Sequence, residues 1–134
     1  METVLVDTGP LVALASRRDK HHTTCVDWLA HYRGRLLTTW AVLTEFSHLC
    51  GSVETALPFY RWIEKGGLEL MALGRDELVA TIDWIEQYAD RPMDLADASL
   101  VIAALNVGCT QIWTLDRADF ETYRLPGRKR FTLV

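Results

Sequence analysis

Asp94 and Asp97 stand three residues apart at the head of a run, Leu95 to Val107, that is apolar almost all round. Asp116 closes a second apolar stretch, Gln111–Leu115, and Asp7 closes a third, Thr3–Val6. Glu45 lies on or beside the face that Val42, Phe46 and Leu49 form at helical spacing. Carboxylates set against buried segments must take up a proton, find a cation or stay at an edge open to water. Two carboxylates about 4 Å apart repel by roughly 4 kcal/mol at an effective dielectric near 20. Several such pairs amount to a sizeable part of the ~5–15 kcal/mol by which a domain is stable. Proton sharing or a divalent cation relieves that repulsion. With oxygen ligands and no nearby histidine, the cation is Mg2+ or Mn2+ before Zn2+.

Each acid also has a purely structural use. Asp7 at a strand end can cap the next helix, and Asp94 is the best N-cap in the chain, with Asp97 as its partner one turn on. Asp116 or Asp119 can cap a short turn over 118–123, and Glu45 can be a solvated helix residue. Chemistry follows only if the elements bring these acids together.

The elements read as strands alternating with helices. Thr3–Val6 is a β-rich run, Thr8-Gly9-Pro10 a turn, and Leu11–Ser16 a helix, followed by an amphipathic helix from Thr23 to about Tyr32. Arg35–Thr39 is a strand and Trp40–Cys50 a helix, capped by Thr39 and stopped by Gly51. A helix over Ser52–Lys65 contains Pro58, which belongs in a first turn or makes a kink. Leu68–Leu73 is a third strand and Arg75–Tyr88 a helix with Leu78, Ile82, Ile85 and Ala89 on its stripe. A loop with Pro92 leads to the apolar helix, which Gly108 stops, and the strand Gln111–Leu115 follows. A helical turn near Ala118–Tyr123, a Pro-Gly turn at 126–127, the triplet Arg128-Lys129-Arg130 and a strand Phe131–Val134 complete the order. Short apolar strands joined by helices imply a parallel sheet covered on both sides. Ligands collect at the carboxyl ends of such strands, where the strand order reverses. Asp7 and Asp116 both stand at carboxyl ends, and they meet if the first and fourth strands are neighbours. Asp97 then arrives on the helix feeding the fourth strand and Glu45 on the helix after the second.

Composition narrows the function. The 134 residues suit one domain, 1–134, with 49% hydrophobic and 24% charged residues in an ordinary globular balance. No apolar stretch reaches the ~18–20 residues of a membrane span, and the N-terminus lacks the basic region of a signal peptide. Three cysteines without C-x-x-C spacing read as reduced thiols of a cytoplasmic protein. A net charge of −4 excludes holding nucleic acid by basic surface alone, but allows phosphate contact through a metal. There is no H-E-x-x-H, G-x-S-x-G, P-loop or G-x-G-x-x-G, and His21-His22 falls in a polar segment. The five tryptophans fall mostly on apolar stripes, which favours core or oligomer packing and leaves base stacking as the alternative for an exposed one.

Taken in order, Val4-Leu5-Val6-Asp7-Thr8-Gly9-Pro10, Glu45 in a helix, Asp97-Ala98-Ser99-Leu100-Val101-Ile102-Ala103-Ala104 and Thr114-Leu115-Asp116-Arg117-Ala118-Asp119-Phe120 resemble a PIN domain. More narrowly, the chain is similar to the VapC-type ribonuclease toxins of toxin–antitoxin pairs. The resemblance implies a three-layer α/β/α, Rossmann-like fold with a five-stranded, mostly parallel sheet and adjacent first and fourth strands. It implies an endoribonuclease dependent on Mg2+ or Mn2+ that cleaves RNA phosphodiesters by metal-activated water, leaving a 5′-phosphate and a 3′-hydroxyl. The four catalytic, metal-holding acids fall on Asp7, Glu45, Asp97 and Asp116, with Asp7 and Asp97 as direct ligands. Thr114 matches the family's hydroxyl before the last acid, and Asp94 and Asp119 are extra acids able to support the site. The partners it implies are RNA, a cognate antitoxin and a second copy in a homodimer. Arg17, Arg18, Lys20 and the 128–130 triplet are candidate backbone contacts, and the segment around Phe59, Tyr60 and Trp62 a candidate partner surface.

Two other classes compete. A different Mg2+-dependent phosphoryl-transfer enzyme on a doubly wound sheet would want either a second acid where Gly9 stands or an acidic pair before the first helix. A non-catalytic PIN-like module that binds RNA or protein would have no need to bear the repulsion of four acids.

Overall fold

The computed structural model describes residues 2–91 and 93–134, so Pro92, expected in the loop before the apolar helix, lies outside the described residues. The elements are β1 (Thr3–Val6), α1 (Thr8–Ala15), α2 (His22–His31), β2 (Arg35–Thr39), α3 (Trp40–Leu49), α4 (Val53–Glu64), β3 (Glu69–Met71), α5 (Arg75–Gln87), α6 (Leu95–Val107), β4 (Gln111–Trp113) and α7 (Arg117–Thr122). A small hairpin, β5 (Arg124–Leu125) with β6 (Lys129–Arg130), then precedes β7 (Thr132–Leu133). The order of helices and main strands is the expected one; the hairpin is an addition.

Five strands form one sheet in the order β3-β2-β1-β4-β7, with every neighbouring pair parallel. The chain is thus an α/β protein whose first and fourth strands are adjacent, Val6 lying opposite Trp113. Val4, Leu5 and Val6 are all fully buried. Because successive strand residues point to opposite faces, β1 is covered on both sides. From β1 the sheet grows one way through β2 and β3 and the other way through β4 and β7, so its order reverses at the β1–β4 seam. The Asp94 side chain takes the Asp97 amide at one end of α6, and Gly108, at φ +68°, turns the chain at the other. Between these caps Ala96 to Ala104 is buried without a break. Trp113 stacks on Trp28 at 4.2 Å and Trp28 on Tyr32 at 4.8 Å, which pins α2 to the sheet.

Three local expectations are corrected. Thr8-Gly9-Pro10 is the first turn of α1 and not a separate turn. Pro10 there lacks only an N–H that a helix start leaves free anyway. Gly9 packs closely on Leu115: a Cβ at this position would stand 3.1 Å from the Cβ of Leu115, tighter than most such contacts. Pro58 lies inside α4, beyond its first turn. The stripe of α5 is rotated: Leu78 and Ile82 are 51% and 47% exposed, while Thr81 is buried and Trp84, Ile85 and Tyr88 pack on the core. Burying the two aromatic rings removes more apolar surface than burying the two aliphatic chains. No helix among the described residues is long and apolar enough to cross a membrane.

Candidate metal centre

The β1–β4 seam sets the geometry. Asp7, at the end of β1, is 5% exposed, and its Oδ1 accepts the Thr8 amide at 2.8 Å, so it does cap α1. Its Oδ2 accepts the Thr114 hydroxyl at 2.7 Å, and the same Thr114 oxygen accepts the Asp116 amide at 2.9 Å. One threonine therefore ties the end of β1 to the backbone that carries Asp116. Strand β4 stops at Trp113, two residues short of expectation, which frees Thr114 and Leu115 for this link.

Asp97 comes to the same edge on the first turn of α6 and is 7% exposed. The Tyr123 hydroxyl donates to its Oδ2 at 2.8 Å. Asp116 stands at the N-cap of α7 without making a side-chain cap bond, and its carboxylate instead meets that of Asp119. Asp119, one turn further, has Oδ1 3.6 Å from Arg91 Nη1. Arg91 also donates to Ala118 O and the Thr122 hydroxyl, holding α7 against the loop before α6. Among the described residues, Asp97, Asp116 and Asp119 form the group of acids whose carboxylate oxygens lie within 4.8 Å of one another. Asp119, flagged only as a supporting acid, is thus in the tightest cluster. Asp7, Glu45, Asp94, Asp97 and Asp116 line a common groove of about 420 Å³.

Burial pushes the Asp97 carboxyl up to about 8; the Tyr123 hydrogen bond opposes this, and the charges of Asp94, Asp7 and Asp116 add to it. Burial likewise raises Asp7 to about 6, against the hydrogen bonds from Thr114 and Thr8 and with help from Glu45 and Asp94. Asp116 rises to about 6 through burial first and then the hydrogen bond and charge of Asp119. Of the three, Asp97 alone is raised above neutrality, and a cation binding here would displace its proton. Its donors are hard carboxylate oxygens, which fit Mg2+ or Mn2+. Thr8, also on the groove, has a buried hydroxyl without a hydrogen-bond partner among the described residues, so the pocket contains an unsatisfied polar group.

Several residues here had no signal in the sequence. Asp19 lines the groove from what read as a polar loop, with its Oδ1 on the His21 amide at 2.8 Å. Tyr123 and Arg91 lie outside any short motif, and only the folded chain brings them to the acids. Arg17, Arg18 and Lys20, the sequence neighbours of Asp19, are exposed. The 128–130 triplet is elsewhere: β7 aligns Thr132 with Gln111, so residues 128–130 approach the amino end of β4, away from Asp116. Of the aromatic trio, Phe59 packs on Phe46 at 4.6 Å and Trp62 against the core. Tyr60 lines a separate apolar groove of about 500 Å³ with Trp40, Leu43, Ile63 and Leu70.

The model of the family described as PIN domain matches residues 4–124. Among solved structures, the chain is similar to the crystal structure of Mycobacterium tuberculosis VapC20, described as a sarcin–ricin loop cleaving toxin. The TM-score is 0.76 at 19% sequence identity, covering 87% of this chain and 93% of that one. At that identity the likeness is one of fold. No curated protein sequence matches the chain.

Proposed function

Because the chain belongs to the PIN-domain family, we propose that it is a Mg2+- or Mn2+-dependent endoribonuclease and the toxin of a toxin–antitoxin pair. The observation that carries this reading is the cluster of Asp97, Asp116 and Asp119, with oxygens within 4.8 Å of one another, beside Asp7 at the carboxyl edge of the sheet. RNA as substrate is supported by the VapC20 fold likeness, since that protein is described as cleaving the sarcin–ricin loop.

A divalent cation bound there supplies a Lewis acid that acidifies water and offsets charge on the phosphodiester. Asp7 and Asp97 would hold it directly, and Asp116 and Glu45, on the same groove, would bind it directly or through water. Thr114 fixes the Asp7 carboxylate and, through the Asp116 amide, the spacing between the two strand ends. Arg17, Arg18 and Lys20 supply cationic contacts for the RNA backbone on the side where Asp19 meets the groove. The whole chain works as one nuclease domain in the cytoplasm, where its free cysteines Cys25, Cys50 and Cys109 remain thiols. VapC-like pairing makes a homodimer and a cognate antitoxin its protein partners. A monomeric mass in solution at every concentration would count against the dimer.

The test is cleavage of a mixture of structured RNAs by the antitoxin-free protein in Mn2+ or Mg2+, with EDTA and an Asp7→Asn variant alongside. Cleavage that needs both the metal and Asp7, leaving 5′-phosphates, is the expected result. No cleavage together with no thermal stabilisation by either ion would overturn the reading and leave a binding module in its place.

A further inference from the structure

Tyr123 is fully buried, yet it carries a hydroxyl, and that hydroxyl donates to Asp97 Oδ2 at 2.8 Å. Its ring is fixed by edge contacts with Tyr88 at 5.1 Å and Phe120 at 5.2 Å. Tyr88 is anchored in turn, its hydroxyl accepting the Arg124 amide at 2.9 Å. A phenylalanine would fill the same space and keep both edge contacts, so packing alone does not call for the oxygen. What the oxygen adds is a fixed orientation for one carboxylate. With a lone pair of Oδ2 taken by Tyr123, Asp97 keeps its other oxygen for Asp116, Asp119 and whatever they share. The tyrosine is also rigid where an acid on a helix's first turn is not, because a carboxylate without such a partner can rotate about its χ angles.

We propose that Tyr123 is a positioning residue for the metal centre: it holds the Asp97 carboxylate in the orientation that binds the divalent cation. This rests on the metal-site reading above and goes beyond it by naming the residue, outside the acidic motifs, on which cation affinity depends. Partners that orient a ligating group typically change metal affinity by about 10–100-fold when removed. The hairpin formed by β5 and β6 follows Tyr123 directly, so it gains a purpose: it fastens the segment that delivers this hydroxyl.

The experiment is a calorimetric titration of the intact, metal-stripped protein with Mn2+, with free Mn2+ followed in parallel by its electron paramagnetic resonance signal. Parent, Tyr123→Phe and Tyr88→Phe proteins are compared. Tyr123→Phe is expected to raise the Mn2+ Kd at least tenfold. Tyr88→Phe, which deletes the neighbouring part-buried hydroxyl and loosens the same aromatic cluster without touching an acid, is expected to keep the parent's Kd. Equal affinities for Tyr123→Phe and parent would overturn the proposal while leaving the metal site intact. So would an equal loss in both variants, because that is the signature of loosened packing. A parent that binds no Mn2+ would instead overturn the site itself, and the role of Tyr123 with it.

Discussion

Replacing Asp97 by asparagine should stabilise the metal-free protein, even though it removes an acid central to the site. The Asp97 carboxyl is raised from 3.8 to about 8, so the folded chain binds its proton more tightly than the unfolded chain does. For an acid shifted upward, the associated stability is fully present below the unfolded value and is lost as pH rises through the folded one. Between 3.8 and pH 7 lie roughly three units at about 1.4 kcal/mol each, or about 4 kcal/mol lost by pH 7. Asparagine is neutral throughout, and its carbonyl can still accept the Tyr123 hydroxyl. The expected gain for Asp97→Asn at pH 7 in EDTA is therefore about 2–4 kcal/mol, the lower figure allowing for coupling to Asp94, Asp7 and Asp116. For a chain of this length that is a rise in Tm of roughly 6–12 °C. Calorimetry of both proteins from pH 4 to pH 8 reads it, and the difference should shrink to nothing at pH 4 and widen toward pH 8. A variant no more stable than the parent at pH 7, or a gain that is the same at pH 4, would refute the reasoning.

Mn2+ at a hundred times its Kd should stabilise the parent by about 2.7 kcal/mol, and this gain should vanish in Asp97→Asn and Asp116→Asn, as thermal unfolding with and without EDTA would record. Thr114→Val should cost about 1–3 kcal/mol in urea unfolding, because it strips a hydrogen bond from buried Asp7 and leaves the Asp116 amide unpaired. Changing Arg17, Arg18 and Lys20 together to alanine should flatten the salt dependence of RNA binding by up to about two units of slope. The same change at 128–130, which lies toward the other end of β4, should leave the slope nearly unaltered.

Much of the architecture is written locally. β1 and β2 have the expected bounds because each is an apolar run between polar or turn-forming residues, and α6 is bracketed by an N-cap aspartate and a left-handed glycine. Elsewhere a local signal had two meanings. Gly9-Pro10 reads as a turn until Leu115, more than a hundred positions away, is found against Gly9. The face of α5 was ambiguous because Leu78 and Ile82 keep the same period as the Trp84–Tyr88 face that the core selects. Asp7, Glu45, Asp97 and Asp116 stand out in the sequence because acids beside buried segments are conspicuous, but their meeting hung on the first and fourth strands being neighbours, which local patterning does not dictate. Asp19 offered no such contrast, being one polar residue among many. Tyr123 was invisible for another reason: its hydroxyl has meaning only once a turn of α7 swings it over α6.

The hydrogen bond from Thr114 to Asp7 joins residues 107 positions apart. Its closure requires the β1–β4 seam, and β1 lies at the middle of the sheet, so the acidic edge cannot assemble from any local part of the chain. Long-range parallel pairing forms late and slowly, after the cost of closing the loop has been met. The groove should therefore be among the last features to appear during folding, and partly folded chains that already contain helices should lack an assembled site. In a refolding experiment, capacity to bind Mn2+ should lag behind helical circular dichroism. The acidic groove thus stays unassembled until the whole sheet is in place.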